Sequence, residues 1–443
     1  MTRGGYRLRV MAGWMPAARA LQACHPLSMT QPVPITASYA ARIAFMVELA
    51  EHLHAYGTTS QRLEAAIVSV AHRLGLECEP WANPTGMILT FSDPQRPPGD
   101  SDSTRVIRLP PGDTDLYRLC EADRITEEVV AGRLGLSEGH AALRALEREP
   151  SLRGHLMQVA GFGLAAAGVA GLLRLPWLDI ATAALIGLVV GLLDWFARKR
   201  PRLKEAGDAV AAIVAGSIAV CVASLVGPLN LNTVVIASMI VLMPGLALTN
   251  AFSELTSQHL VSGTARFAGA VATLLKLTVG VMIALTVAQL AGLEPQVRAL
   301  RPQPDWVEYV SVLLAAYAFA VLFRADRRDY LLVMLAAITG YTISRVVGTT
   351  LGSPIGVFLS AMVITVAGNG YAQWRNRPGA VIRVPGIIML VPGSISLRSL
   401  LTLMQQQDVG AGQEAAMTVL NVLLALIAGL LIGNLVTPAR RSL

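Results

Sequence analysis

From Leu156 onward the apolar residues come in ten runs, about 156–173, 177–197, 206–227, 231–249, 266–291, 306–323, 329–350, 353–372, 380–397 and 414–436. Each approaches the roughly 20 residues that an α-helix needs to cross a bilayer, so the pattern predicts ten transmembrane helices. Ahead of them the periods are mixed. Ile43, Phe45, Met46, Val47, Leu49 and Leu53 recur near helical spacing until Gly57 closes a first helix. Thr58-Thr59-Ser60-Gln61 has the capping-box form, and Leu63, Ile67, Val70, Ala71 and Leu74 line one face of a second helix that Gly75 ends. The period then becomes two. Short strands are expected over about 76–81, 87–92 and 104–109, separated by Asn83-Pro84-Thr85-Gly86 and by a Pro/Gly/Asp-rich loop over 93–102. Two more helices, about 114–131 and 137–149, complete a small α/β domain over 36–155, and residues 1–35 read as a disordered leader. A signal peptide is disfavoured there because Pro16 and Arg19 interrupt the apolar stretch.

Composition agrees with a membrane assignment, since 53% of residues are hydrophobic and only 15% charged. Charge divides the chain. Residues 36–155 hold 17 of the 29 acidic side chains and 12 basic ones, whereas 156–443 hold 12 acidic and 20 basic. The basic excess therefore flanks apolar runs, while the folded front is net acidic, and this argues against nucleic-acid binding. With the front placed in the cytoplasm, the loops on that side and the C-terminal tail collect fourteen Lys and Arg, from Arg198 to Arg441, against four on the other side, Arg174, Arg298, Arg301 and Arg398. Cytoplasmic loops carry such an excess, so both termini are expected in the cytoplasm and the chain in the inner (plasma) membrane, multi-pass. Cys24, Cys78, Cys120 and Cys221 have no CxxC spacing and are expected as free thiols.

The apolar half repeats a motif. Ile240–Gly245 reads IVLMPG and Met389–Gly393 reads MLVPG, each followed by a Ser/Thr-containing stretch and a long apolar helix. Two five-helix repeats follow, 156–292 and 305–437, and an odd number of spans makes the second copy inverted. Inverted repeats are a common plan of secondary transporters, in which broken helices near the midplane hold substrate. Pro244-Gly245 and Pro392-Gly393 are where such breaks would fall, because Pro removes a helix donor and Gly permits other dihedrals. Asn250, Glu254, Ser394 and Ser396 follow the breaks and complete the expected substrate-binding set.

Ionisable residues within or beside spans are the candidates for proton coupling. Glu254 is the favoured proton carrier. Lys276, one of only three lysines, falls near the middle of the fifth span, and Arg345 lies towards the end of the seventh. Asp194 and Asp208 face each other across a basic loop. Asp194 can pair with Arg198 at i,i+4, and Asp208 suits the first turn of a helix. No HExxH, Walker A or GxSxG is present, and no Cys/His cluster has metal spacing; His52 and His54 occupy different helix faces. No catalytic residue, metal or cofactor is expected, and the energy source must be a gradient.

Leu53-His54-Ala55-Tyr56-Gly57 with Ser60-Gln61-Arg62-Leu63-Glu64, Asn83-Pro84-Thr85-Gly86-Met87, Leu109-Pro110-Pro111-Gly112 and the two Pro-Gly segments, in this order, resemble the threonine/serine exporter family over about residues 40–437, with its N-terminal and C-terminal modules fused. The resemblance implies export of small hydroxylated amino acids from the cytoplasm in exchange for protons, that is, antiport efflux. Two features depart from the family: Glu254-Leu255 stands where Asp-Leu is expected, and the leader has no counterpart. The expected partners are a small amino acid, protons and the lipid bilayer, with a homo-oligomer left open. The alternative is a membrane-anchored signalling or scaffold protein whose soluble domain carries the activity.

Overall fold

The computed structural model describes residues 37–95, 97, 102–147, 150–297, 302–391, 393–406 and 409–438. The expected leader, Cys24, Pro392 and the arginines 298, 301, 440 and 441 lie outside these.

Four helices and one sheet precede the first apolar helix. Helix α1 (Tyr39–Ala55) starts at Ser38, whose hydroxyl accepts the Ala41 N–H, and stops at Gly57, where φ is +79°. Helix α2 (Ser60–Arg73) follows at once and ends before Gly75, at φ +67°. Its start corrects the capping-box expectation, because no side chain of the Thr58–Gln61 stretch caps it. Strands β1 (Glu77–Asn83), β2 (Gly86–Ser92) and β3 (Ser103–Arg108) form an antiparallel sheet in that order, with Asn83 opposite Gly86 across a two-residue turn. Glu64 of α2 pins the sheet by accepting the Ala82 N–H at 2.8 Å. Helices α3 (Leu116–Val130) and α4 (Leu136–Ala145) pack back against α1.

The remainder is helical: α5 (Leu152–Leu172), α6 (Trp177–Ala197), α7 (Pro201–Leu225), α8 (Leu231–Ser238), α9 (Gly245–Thr256), α10 (Leu260–Leu290), α11 (Asp305–Leu322), α12 (Tyr330–Leu351), α13 (Ser353–Arg375), α14 (Ala380–Ile388), α15 (Gly393–Gln406) and α16 (Val409–Val436). Among the described residues eight helices are long and apolar enough to cross a bilayer, and α8 with α9, bent by 58°, makes a ninth if the pair counts as one span. The chain is a multi-pass membrane protein. Several helices outrun the apolar runs that predicted them. Helix α10 has 31 residues, about 46 Å at 1.5 Å per residue, against ~30 Å of hydrocarbon.

The same neighbours recur in the two halves. Helix α5 packs on α6, α7 on α10, and α8 on α5, α6 and α7; correspondingly α11 packs on α12, α13 on α16, and α14 on α11, α12 and α13. Between the halves, α5 lies against α11, and α9 and α15 reach across to α16 and α10. A core of small residues, including Ala165, Ala166, Ala215, Ala219 and Ala315, lets these helices approach closely.

The loops segregate by contact. The start of α10, the α11–α12 turn and the α13–α14 turn meet residues 37–147. The α5–α6, α7–α8 and α10–α11 connections meet one another instead, through Arg174 with Gln303 and Asp305 and through Leu229 with Gln296.

Candidate functional site

Two broken helices cross inside the apolar half. After α8, Ile240–Leu242 makes a single tight turn and Met243 is extended, so Pro244 enters α9 without an N–H to place. Gly245, the first residue of α9, is buried directly against Gly393, the first residue of α15. A Cβ on Gly393 would lie 3.3 Å from the Gly245 Cα, and one on Gly245 would lie 3.4 Å from the Gly393 Cα and against the Val391 side chain. A side chain at either position would force its neighbours apart. Residues 148 positions apart are thus in contact, as the numbers 245 and 393 give. Asn250 and Ser394 are half-buried nearby in sequence and Ser396 is buried, whereas Pro392 is outside the described residues.

Glu254 sits elsewhere, at the far end of α9, about 13 Å along the helix from Gly245. It is 1% exposed. Its Oε1 accepts the Ser60 N–H at 3.0 Å and Arg266 Nη2 at 3.1 Å; its Oε2 accepts the Ser262 hydroxyl at 2.8 Å and Arg266 Nε at 3.1 Å. Ser60 Oγ lies 2.7 Å from Ser262 Oγ. The cap missing from α2 is therefore supplied by a membrane helix. A carboxylate is suited to a helix N-terminus, where free N–H groups and the helix dipole favour negative charge. One step further along α2, His259 Nε2 stands 3.0 Å from Glu64 Oε2.

A second joint ties the front part to the other half. The Leu116 and Tyr117 N–H groups, at the start of α3, donate to the Phe323 and Arg324 carbonyls at the end of α11, and Arg324 Nη1 reaches Asp115 at 3.1 Å. Beside it Arg377 pairs with Asp329 at 2.6 Å and also reaches the Cys120 thiol of α3. Burial pushes that thiol up to about 12.

One threonine/serine exporter family model matches residues 44–288, and a second, described as Threonine/Serine exporter, ThrE, matches 308–436. The chain belongs to the threonine/serine exporter family. It is 21% identical over 95% of its length to the pheromone-regulated membrane protein 10 of Candida glabrata, covering 54% of that protein. It is 23% identical over 74% of its length to a Mycobacterium tuberculosis protein named "Probable threonine/serine exporter", covering 64% of it. In Zygosaccharomyces rouxii, a further pheromone-regulated membrane protein 10 is 22% identical and is covered over 37% of its length. The chain thus spans between about a third and two thirds of these relatives. No solved structure matches it.

Within this family member the other candidate charges are dispersed. Asp194 pairs with Arg198 at 2.7 Å, in the same helix. Lys276 lies 3.6 Å from Asp208 and donates to the Glu205 carbonyl at 3.2 Å. One expectation is corrected by this pair. Asp208 is the eighth residue of α7 rather than in its first turn, because α7 begins at Pro201 and includes the charged residues that follow. Lys276 sits at the middle of α10, where the sequence puts it, and its ammonium turns to the first part of α7. Arg345 reaches Glu308 at 3.0 Å, and Tyr341 donates to the same carboxylate at 2.8 Å. Next to this group is an open cavity of about 260 Å³ lined by Tyr341, Ser344, Arg345, Thr349, Ser353 and Met389, the last of which adjoins the second break.

Sequence reasoning missed several residues. Ser262 and Arg266 carry no motif, and Ser60 stands in the capping-box and family stretches without any sign of a distant partner; only their meeting at Glu254 gives the three a common role. Asp179 was detectable as an acid three residues into an apolar run. It is fully buried; its Oδ2 accepts the Asn230 backbone and side-chain N–H groups at 3.1 and 2.7 Å, and among the described residues its Oδ1 has no hydrogen-bond partner.

Proposed function

We propose that the chain is a secondary transporter that exports threonine, serine or similar small amino acids from the cytoplasm in exchange for protons, and that its ten spans are two inverted five-helix repeats, 156–292 and 305–437, behind a cytoplasmic α/β domain. The contact of Gly245 with Gly393 carries the reading. Two helix breaks at matching places in two halves with the same neighbour pattern form a bistable centre, and the backbone groups freed there suit the charged ends of an amino acid. Substrate is assigned to the crossing, with Pro244, Gly245, Asn250, Pro392, Gly393, Ser394 and Ser396 around it. The cavity beside Arg345 and Glu308 is the way out on the opposite side from the front domain.

Glu254 is assigned as the coupling carboxylate through its contacts with the front domain. Neutralising it would release Arg266 and remove the charged cap of α2 together, so proton uptake would loosen the domain from the first half. Lys276, Asp208, Asp194 and Arg345 then hold the helix frame. Segregation of the Arg266, Arg324 and Arg377 loops with the front domain supports placing both termini in the cytoplasm of an inner (plasma) membrane cell boundary.

Labelled L-threonine taken up by proteoliposomes under an imposed pH gradient tests the reading. Uptake is expected to require the gradient and to be competed by serine. Gradient-independent background from well-inserted protein, equal to that of empty liposomes, would turn the assignment to a membrane-anchored scaffold.

A further inference from the structure

On the front part, away from every contact with the membrane helices described above, α1 and the end of α4 bring together side chains that the transport reading does not use. His52 is 3% exposed. Its Nδ1 lies 2.8 Å from the Glu48 backbone carbonyl, which can only accept, so Nδ1 carries the hydrogen and the neutral ring presents a lone pair at Nε2. That Nε2 is buried and, among the described residues, has no hydrogen-bond partner. A ring nitrogen fixed in this tautomer by a backbone carbonyl is the arrangement of a metal-ligating histidine.

One carboxylate stands by that lone pair, and the Glu48 carboxylate lies to its side, with Oε1 3.9 Å from the Nδ1 of the same ring. Glu147 Oε1 is 3.9 Å from His52 Nε2, and one ligand atom each from Glu48, His52 and Glu147 lie within 4.8 Å of one another. Ligands about 2.0–2.2 Å from a shared ion are somewhat closer together than this. Glu147, whose side chain is 70% exposed, has the freedom to close the gap. Glu48 is already oriented by His140 Nε2 at 2.8 Å, with Arg144 Nε at 3.3 Å. A carboxylate held by a histidine from behind is an outer-shell arrangement.

We propose that His52 Nε2 and the Glu48 and Glu147 carboxylates form a binding site for a divalent transition-metal ion, with water completing its shell and His140 orienting Glu48. One imidazole and two carboxylates suit zinc or manganese rather than calcium, which takes six to eight oxygens. The charges fit as well: Glu48 and Glu147 balance one divalent ion, while Glu51, near both, offsets the Arg144 guanidinium beside Glu48. Glu147 follows α4 shortly before α5 begins, so an ion here fastens the connection from the front part to the first apolar helix. The sequence hid this site, because its third ligand is remote from the Glu48/His52 pair and carries no spacing motif.

Tag-free full-length protein in detergent, stripped with a chelator, is titrated with Zn²⁺ and separately with Mn²⁺ by calorimetry, and its thermal unfolding is followed with and without each ion. Saturable binding of one ion per chain is expected for at least one of the two metals, together with a higher unfolding temperature. His140→Ala, which removes the outer-shell partner of Glu48, is expected to weaken that binding by roughly tenfold to a hundredfold, and His52→Ala, which removes a ligand, by more. Glu147→Gln, at an exposed position where folding is not at risk, is expected to weaken it as well and to abolish the thermal shift. Wild-type protein that binds neither ion saturably overturns the site, and so does affinity left unchanged in Glu147→Gln.

Discussion

Glu254 keeps four donors within 3.1 Å while almost fully withdrawn from water. Burying a carboxylate this way is tolerable only because Arg266 meets both oxygens and the start of α2 adds a third direction of positive potential. Removal of one partner strands the other. Glu254→Gln should therefore lower stability by about 3 kcal/mol, the low end for a buried pair because Arg266 keeps some solvent contact, read as a fall in unfolding temperature in detergent. Glu254→Asp, which restores the acid that the family pattern leads one to expect, should fall between wild type and Gln, since the shorter arm cannot reach Ser60 and Arg266 together. Equal stability of all three proteins would refute the bridging role. The carboxylate itself was visible in the sequence, but its partners were not. Ser60 is 194 residues away, and no local period reports such a meeting. The same pairing explains a misplaced boundary: Arg266 was read as the charged edge of an apolar run, yet with its guanidinium satisfied α10 continues past it to Leu260.

Among the elements, apolar length predicted the long helices well because a bilayer imposes it residue by residue. The short ones were legible for another reason: Pro followed by Gly marks a place where a helix cannot simply continue. What the pattern did not contain was the contact between the breaks. Gly245 and Gly393 were each readable as local kinks, and only packing makes them one feature. Gly393→Val tests that feature. Its Cβ and branches would have to push the Gly245 backbone away, so transport should fall at least tenfold, measured as initial uptake in proteoliposomes with protein content matched. Gly269→Ala in α10 serves as the comparison, because a Cβ there meets nothing within 4 Å. It should transport as wild type. If both variants keep full activity, the crossing is not the substrate site.

For the whole molecule, the decisive relation is that one small front part holds both halves at once: Ser60 and Glu64 grip the first through Glu254 and His259, and Asp115, Leu116, Tyr117 and Cys120 grip the second through Arg324, Phe323 and Arg377. If the halves rock against each other as proposed, the two grips are pulled apart and one of them is expected to open. Cys120 reports the second grip. Buried against the Arg377 loop, with its thiol pushed up to about 12 by burial above all, it holds far less thiolate than an ordinary cysteine at the same pH and reacts correspondingly slowly. Cys78 has the same displaced thiol, also to about 12 and also from burial first, but it lies in β1 and its charged neighbour is Glu79 of the same strand rather than the Arg377 loop. In a protein carrying C24S and C221S, maleimide labelling followed by mass spectrometry should find both cysteines slow at rest. Added threonine with a pH gradient should accelerate Cys120 several-fold and leave Cys78 unchanged, and a charge-reversing Arg324→Glu should accelerate Cys120 without substrate by setting two acids against each other at Asp115. Acceleration of both cysteines together would mean that the front part unfolds rather than undocks. Constant labelling of Cys120 during measured transport would mean that the second grip never opens, leaving the joint at Glu254 as the moving one.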